Sequence, residues 1–127
     1  MGCMAFSAAA TVYNALLTGL VAISLPVAED PLAQGVNNWT TAVGRLYGVV
    51  LDPPPVVART TKGHAVCVTG FVPDANEATG GYFIFRNSWG AGWASGAPVA
   101  GRRSPEVGYG EVSATYVDRY LWEWCAL

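Results

Sequence analysis

The chain has 127 residues, of which 52% are hydrophobic and only 13% are charged, and its formal net charge is −2. This length allows one small domain with a hydrophobic core, and the composition is too apolar for a disordered protein. The seven Lys and Arg residues are scattered. This argues against nucleic-acid binding, because the sequence has no cluster of basic residues that could neutralise the phosphates of a nucleic acid. The three cysteines and the single histidine lack metal-ligand spacing, so we expect no metal and no organic cofactor.

The N-terminal stretch carries no charged side chain before Glu29, which raises the alternative of a signal peptide or a membrane anchor. A signal peptide begins with a basic region, and a spanning helix needs about 20 apolar residues. This stretch has neither, because polar residues and Pro26 interrupt it. Residues 4–18 show helical spacing of apolar side chains and end at Gly19. We therefore expect a buried helix over 4–18 and a strand over 20–25, and we do not expect membrane attachment.

The middle of the chain changes from loop-like to β-like. Residues 29–55 are mixed, and Asn37-Asn38-Trp39 and the prolines at 53–55 mark loops. From Lys62 onward, the Val-rich run 64–71 predicts one strand and the aromatic run 82–87 predicts a second. Turn-forming residues over 73–81 indicate that these two strands form an antiparallel pair. Two more short strands are expected over 108–114 and 116–122, after a Gly- and Ala-rich loop over 90–104.

Two short motifs in this β-like region stand out together. The first is Gly63-His64-Ala65-Val66 at the start of one strand, and the second is Arg86-Asn87-Ser88-Trp89-Gly90 at the end of the next. With Trp93 and Gly108-Tyr109-Gly110, the set resembles the signature of the papain-like cysteine peptidases. The resemblance implies that His64 is the catalytic histidine, that Asn87 orients it, and that Trp89 shields their hydrogen bond from water. Because one hairpin separates the motifs, we expect the His64 and Asn87 side chains to lie side by side.

The residue types suit this chemistry independently of the resemblance. A cysteine thiol has a pKa of about 8.5, so a neighbouring imidazole takes its proton and later returns that proton to the leaving amine. The side-chain oxygen of Asn87 can accept the second ring N–H of His64 and so fix its tautomer. Each residue also has a structural interpretation. A lone histidine on an apolar strand is usually structural, and Asn-Ser before Trp-Gly is ordinary turn chemistry.

Cys3 is the candidate nucleophile. It opens the predicted helix in the run Gly2-Cys3-Met4-Ala5-Phe6-Ser7, which resembles the family's sequence around its catalytic cysteine, and a helix N-terminus lowers the pKa of a thiol. A second interpretation stays open, because the stretch between Cys3 and His64 is too short for the family's helical half. In that interpretation the helix belongs to the connection into the β-rich half, and Cys3 lies at its start by chance. Cys67, between Val66 and Val68, is expected to be an inert core residue, and Cys125 has no assigned role.

These observations predict an α+β fold in which one N-terminal helix packs against an antiparallel sheet or half-barrel. Residues 1–127 are expected to form a single truncated papain-like domain, with the helix in 1–18 and the β-rich half in 19–127. The implied function is hydrolysis of peptide or protein substrates by a cysteine peptidase through Cys3, His64 and Asn87. The alternative is an inactive papain-like fragment, an interaction module, or one part of a longer or two-chain enzyme. A sheet face without its partner half exposes apolar surface, so self-association or pairing with a complementary chain is also expected.

Overall fold

The computed structural model describes residues 7–29, 35–53, 62–96 and 106–127. The helices in these ranges are α1 (Ala8–Leu16), α2 (Ala42–Tyr47) and α3 (Ala114–Tyr120). The strands are β1 (Val21–Pro26), β2 (Gly63–Pro73), β3 (Gly81–Arg86), β4 (Tyr109–Ser113) and β5 (Glu123–Ala126). Among the described residues, no helix is long and apolar enough to span a membrane.

The five strands form one open antiparallel sheet in the order β4-β3-β2-β1-β5, which confirms the predicted α+β class. The predicted hairpin is confirmed as β2 and β3, whose register runs from Cys67 opposite Arg86 to Pro73 opposite Gly81. A register shift between Val68 and Gly70 marks a bulge in β2, a feature that increases local twist.

One face of the sheet carries the hydrophobic core. Val21, Ile23 and Leu25 alternate along β1 and are almost fully buried. Their partners across β2 are Val68, Val66 and His64, in that order. Because side chains alternate between the faces of a strand, His64 shares the core-facing side with these valines. The core also contains large aromatic side chains from several elements: Trp39, Phe83, Phe85, Trp93 and Tyr116.

The first helix begins later than predicted. Ser7 has extended backbone angles, and its Oγ accepts a hydrogen bond from the N–H of Ala10 at 3.0 Å, so Ser7 is the N-cap and α1 starts at Ala8. The helix ends at Leu16. Cys3 lies outside the described residues and is four positions before this cap. The dipole of a helix acts mainly on groups in its first turn, and the first turn of α1 begins at Ala8.

The strand predicted over 116–122 is wrong, because this part of the chain forms α3. Ser113 caps the helix by accepting a hydrogen bond from the N–H of Tyr116 at 3.0 Å. Ala114 and Val117 are both buried, and their spacing of three positions places them on one helical face. The strand that does form here is β5, further along the chain.

The prediction of a single helix is also incomplete. Within the stretch of mixed composition, Thr41 is the N-cap of α2, and its hydroxyl accepts a hydrogen bond from the N–H of Gly44 at 3.2 Å. The C-cap is Gly48, which adopts a left-handed backbone with φ of 71°. Ser and Thr caps therefore define two helices that apolar periodicity alone does not reveal.

Cys67 does not lie in the core. Val66 and Val68 are buried, whereas Cys67 between them is half-buried on the opposite face of the sheet. The same cross-strand row contains Ala22 and the exposed Cys125, because Ala22 is the register partner of both cysteines. The expectation of an inert core thiol at Cys67 is therefore wrong, since the alternation of the strand turns it outward.

Candidate active site

His64 and Asn87 lie at the same end of the β2–β3 hairpin. His64 is the second residue of β2, and Asn87 directly follows Arg86, the last residue of β3. The imidazole Nε2 lies 2.7 Å from the side-chain Oδ1 of Asn87. The hairpin therefore brings together the two side chains that the sequence predicts to be neighbours.

The environment of Asn87 fixes the direction of this hydrogen bond. Its Oδ1 also accepts the backbone N–H of Ser88 at 2.8 Å. Because a backbone N–H can only donate, the amide oxygen, not the amide nitrogen, must face Ser88 and His64. Nε2 of His64 therefore carries the hydrogen, and in the neutral ring Nδ1 carries the lone pair that can accept a proton.

Asn87 is held in an unusually confined position. It is only 4% exposed, and its backbone N–H donates to the carbonyl oxygen of Gly108 at 3.0 Å. Its Nδ2 is buried without a hydrogen-bond partner among the described residues. A buried unsatisfied donor costs stability, and such groups in native proteins call for an explanation, a functional role among them.

Two tryptophan rings hold the imidazole from different directions. Trp89 stacks on His64, with ring centroids 4.4 Å apart and an angle of 25° between the planes. Trp39 meets the same imidazole edge to face, with centroids 5.2 Å apart. Trp89 is 41% exposed, whereas Trp39 is completely buried. The imidazole is thus positioned by one ring at the surface and by one in the core.

Trp39 is itself fixed by a buried polar cluster around Tyr116. The Tyr116 hydroxyl donates to the carbonyl of Pro26 at 2.5 Å and accepts from Asn38 Nδ2 at 2.9 Å and from Trp39 Nε1 at 3.2 Å. Burial is the main cause that raises the pKa of Tyr116 above its ordinary value of 10.0, and the hydrogen bonds from Asn38 and Trp39 oppose it. The hydroxyl therefore stays protonated at neutral pH and continues to donate to Pro26.

Sequence reasoning did not identify Trp39, Asn38 and Tyr116 as part of the site. Trp39 and Asn38 lie in a stretch with loop composition, and Tyr116 lies in a segment assigned to a strand. No local pattern in the sequence connects these residues to His64, because the contact depends on the packing of α3 and the 35–53 segment against the sheet.

The start of α1 lies at the end of the β2–β3 hairpin that is opposite to His64 and Asn87. Ala9 and Ala10 line an apolar groove of about 300 Å³ together with Phe71 and Gly80. Phe71 is seven residues from His64 along β2, a separation of roughly 20 Å at about 3.3 Å per residue. Cys3, the predicted nucleophile, lies outside the described residues. Within the described residues, His64, Asn87 and Trp89 come together.

The remaining described residues offer no metal site: no group of three His, Cys, Asp or Glu side chains within them is arranged to hold an ion. Cys67 lies on the face of the sheet opposite to His64, and Cys125 lies on β5 at the edge of the sheet. Neither thiol is therefore placed as a partner for this imidazole within one chain.

Comparisons with known proteins add a distant structural likeness. No family model and no curated protein matches the chain. Among solved structures, it is similar to the bromelain protease from Ananas comosus in complex with an inhibitor, with 20% sequence identity and a TM-score of 0.44. The match covers 91% of this chain and 43% of that chain, so this chain spans less than half the length of that protein.

Proposed function

We propose that this chain provides the general base of a papain-like cysteine peptidase site that hydrolyses peptide bonds. In this site His64 is the base, Asn87 orients it and Trp89 holds its ring. The observation that carries the proposal is the 2.7 Å contact between His64 Nε2 and Asn87 Oδ1. With Nε2–H committed to Asn87, Nδ1 is the ring atom available to a thiol.

The chemistry follows from this assignment. Nδ1 takes the thiol proton, and the resulting thiolate attacks the peptide carbonyl carbon. The imidazolium then gives its Nδ1 proton to the leaving amine as the C–N bond breaks, which leaves a thioester. For hydrolysis of the thioester, Nδ1 takes a proton from water as the water oxygen attacks the acyl carbon, and it returns that proton to the thiolate as the C–S bond breaks and the acid product leaves. Throughout this cycle Asn87 keeps the ring in one orientation by accepting from Nε2–H.

Two sources of the thiol are compatible with this base. The first is Cys3, which the sequence motif favours. The second is a cysteine on another segment or chain, in which case this chain is one part of a longer or two-chain enzyme. The second source is favoured by the cap at Ser7 and by the position of Ala9 and Ala10 at the far end of the hairpin from His64.

Alkylation with iodoacetamide, followed for each cysteine by mass spectrometry, separates these sources. If Cys3 is paired with His64, it should react about ten-fold faster than Cys125 near pH 6.5, because only a thiolate reacts. Cys125 is an internal reference when the chain is diluted well below the concentration at which copies would pair, since in the single chain it is exposed and remote from His64. In His64→Ala the Cys3 rate should fall to that of Cys125, and peptide turnover should fall by about 10²–10⁴. Equal alkylation rates for Cys3 and Cys125 in the unsubstituted chain would exclude Cys3 as the nucleophile and favour a cysteine on another segment or chain.

The role of His64 has its own test, which does not depend on the thiol. Because the chain contains one histidine, the ¹⁵N NMR spectrum of its imidazole is unambiguous. The neutral ring should be the Nε2–H tautomer, and Asn87→Ala should reduce this preference by roughly five-fold for a hydrogen bond worth about 1 kcal/mol. A dominant Nδ1–H tautomer would contradict the proposed base.

A further inference from the structure

β5 is an edge strand with an open side. It pairs with β1 through four residues, and no other described residue pairs with its second side. All four residues of β5 are exposed. Unpaired edge strands present a row of N–H and C=O groups that can template pairing with another strand.

The pairing with β1 determines which groups face outward. The N–H of Leu127 donates to the carbonyl of Leu20 at 3.0 Å, so Leu127 belongs to the residues of this antiparallel pair that direct their backbone groups towards β1. Along an antiparallel strand, residues whose backbone groups face one neighbour alternate with residues whose backbone groups face the opposite side. The backbone groups of Trp124 and Ala126 therefore point to the open side, and those of Glu123 and Cys125 point to β1.

Apolar side chains surround this open edge. Exposed large residues lie on β5 and on the chain segments beside it: Leu17, Leu20, Trp122, Trp124 and Leu127. Leu127 is 71% exposed and Trp124 is 45% exposed. Given the typical areas of such side chains, this edge offers on the order of 500 Å² of apolar surface per copy. Burial on two copies gives about 1,000 Å², which is the lower bound for a specific interface.

We infer that two copies of this chain pair β5 with β5 in antiparallel orientation, about a two-fold axis that passes through Cys125. In this register Trp124 of each copy lies opposite Ala126 of the other. Both residues direct their backbone groups outward, so the two Trp124–Ala126 pairs form four hydrogen bonds. A large side chain also meets a small one on the same face. The result is one continuous ten-stranded sheet with a symmetric, self-complementary interface.

The neighbouring register, centred on Trp124, is less favourable. It would require the N–H of Trp122 to face the open side and pair with Ala126 of the other copy. That N–H instead faces β1, where it donates to the carbonyl of Ser24 at 3.1 Å. The register centred on Cys125 is therefore the one in which every donor it uses faces the open side.

This register makes a specific geometric prediction for Cys125. The two Cys125 residues are directly opposite each other in a non-hydrogen-bonded pair, with Cα atoms about 4.5 Å apart. Disulfides form at Cα separations of about 4.4–6.8 Å. Cys67 is two strands away from Cys125 in the same chain, or about 10 Å, and is not at the interface. His64 and Asn87 lie at one end of the β2–β3 hairpin, so pairing through β5 does not use either residue.

The oligomeric state of the full chain tests the interface. Sedimentation equilibrium at about 10–100 µM should give the mass of a dimer. Trp124→Lys places a charge on the edge, and Ala126→Pro removes an outward N–H without affecting the pairing with β1. Each should raise the dimer dissociation constant at least ten-fold. Leu46→Lys is the matched control, since Leu46 is 46% exposed and lies on α2, and it should leave the constant unchanged.

Cross-linking tests the register. Diamide oxidises two thiols to a disulfide and is itself reduced to the hydrazine, so it should link Cys125 to Cys125 across the dimer. The linked dimer on a non-reducing gel should persist in Cys67→Ser and disappear in Cys125→Ser. The tautomer of His64 in each variant, read by NMR, reports that the chain is folded. A monomeric unsubstituted chain, a dimer that survives both Trp124→Lys and Ala126→Pro, or a link through Cys67 would each overturn the proposal.

Discussion

Substitution of Tyr116 by Phe tests how strongly the buried polar cluster supports the candidate site. The change keeps the ring and removes the hydroxyl, which is fully buried and contacts Pro26, Asn38 and Trp39. Asn38 Nδ2 retains a bond to the carbonyl of Leu51 at 2.8 Å. The Pro26 carbonyl and the indole Nε1–H of Trp39 both lose the hydroxyl as a partner in a buried environment.

Each buried group left without a partner costs about 1–3 kcal/mol, so the loss of two partners in Tyr116→Phe should lower the free energy of unfolding by about 2–6 kcal/mol. For a domain of this size the melting temperature should fall by roughly 10 °C. Urea unfolding followed by circular dichroism measures this loss. Tyr13→Phe is the matched control, because Tyr13 is 42% exposed and surface changes usually stay within about 0.5 kcal/mol. Equal losses in the two variants would refute the structural importance of the cluster.

Three further predictions concern the same region. The folded chain raises the pKa of Tyr116 through burial, so above pH 10 the unfolded tyrosine ionises first, and the stability advantage over Tyr116→Phe should shrink in urea unfolding at pH 10–11. Gly44→Ala would place a Cβ 2.4 Å from the carbonyl oxygen of Trp39, and should lower the unfolding free energy by about 1–3 kcal/mol. Trp89→Ala removes the ring stacked on His64, and hydrogen exchange of the His64 Nε2 proton should become about five-fold faster by NMR.

A Cβ at Gly92 would meet nothing within 4 Å, so Gly92→Ala should be far milder than Gly44→Ala, and equal effects would contradict the contact with Trp39. Trp124→Ala removes a ring of similar exposure on β5 and should leave exchange at His64 unchanged. If the unfolding free energies of the unsubstituted chain and of Tyr116→Phe differ by a constant amount across pH 8–11, the raised pKa of Tyr116 in the folded chain is contradicted.

The sequence predicts the hairpin and the His64–Asn87 pair because both depend on local patterns. Alternation of apolar residues defines β2 and β3, and turn-forming residues between them determine that they pair. The ends of the two strands then meet without help from the rest of the chain. The α+β class follows from the same patterns, since an apolar helical segment precedes several β-like segments.

The elements that the sequence does not predict depend on tertiary context. α3 contains aromatic and β-branched residues that favour a strand locally, but its Ser113 cap and the burial of Tyr116 between the sheet and Trp39 favour a helix. The start of α1 is similar, because the apolar periodicity extends upstream of Ser7 while the hydrogen bond to Ala10 sets the boundary. Side-chain caps and distant contacts thus override propensity in both places.

The geometry around His64 is independent of the source of the thiol in the proposed mechanism. His64 forms a hydrogen bond with Asn87, stacks on Trp89 and contacts Trp39 edge to face. These four residues belong to β2, to the turn after β3 and to the 35–53 segment. None of these contacts involves α1 or the residues before it. A chain that holds its imidazole in this way can present Nδ1 either to Cys3 or to a cysteine on another chain. The His64 tautomer should therefore be the same in Cys3→Ser as in the unsubstituted chain, and a change of tautomer in that variant would indicate that Cys3 does contact the ring.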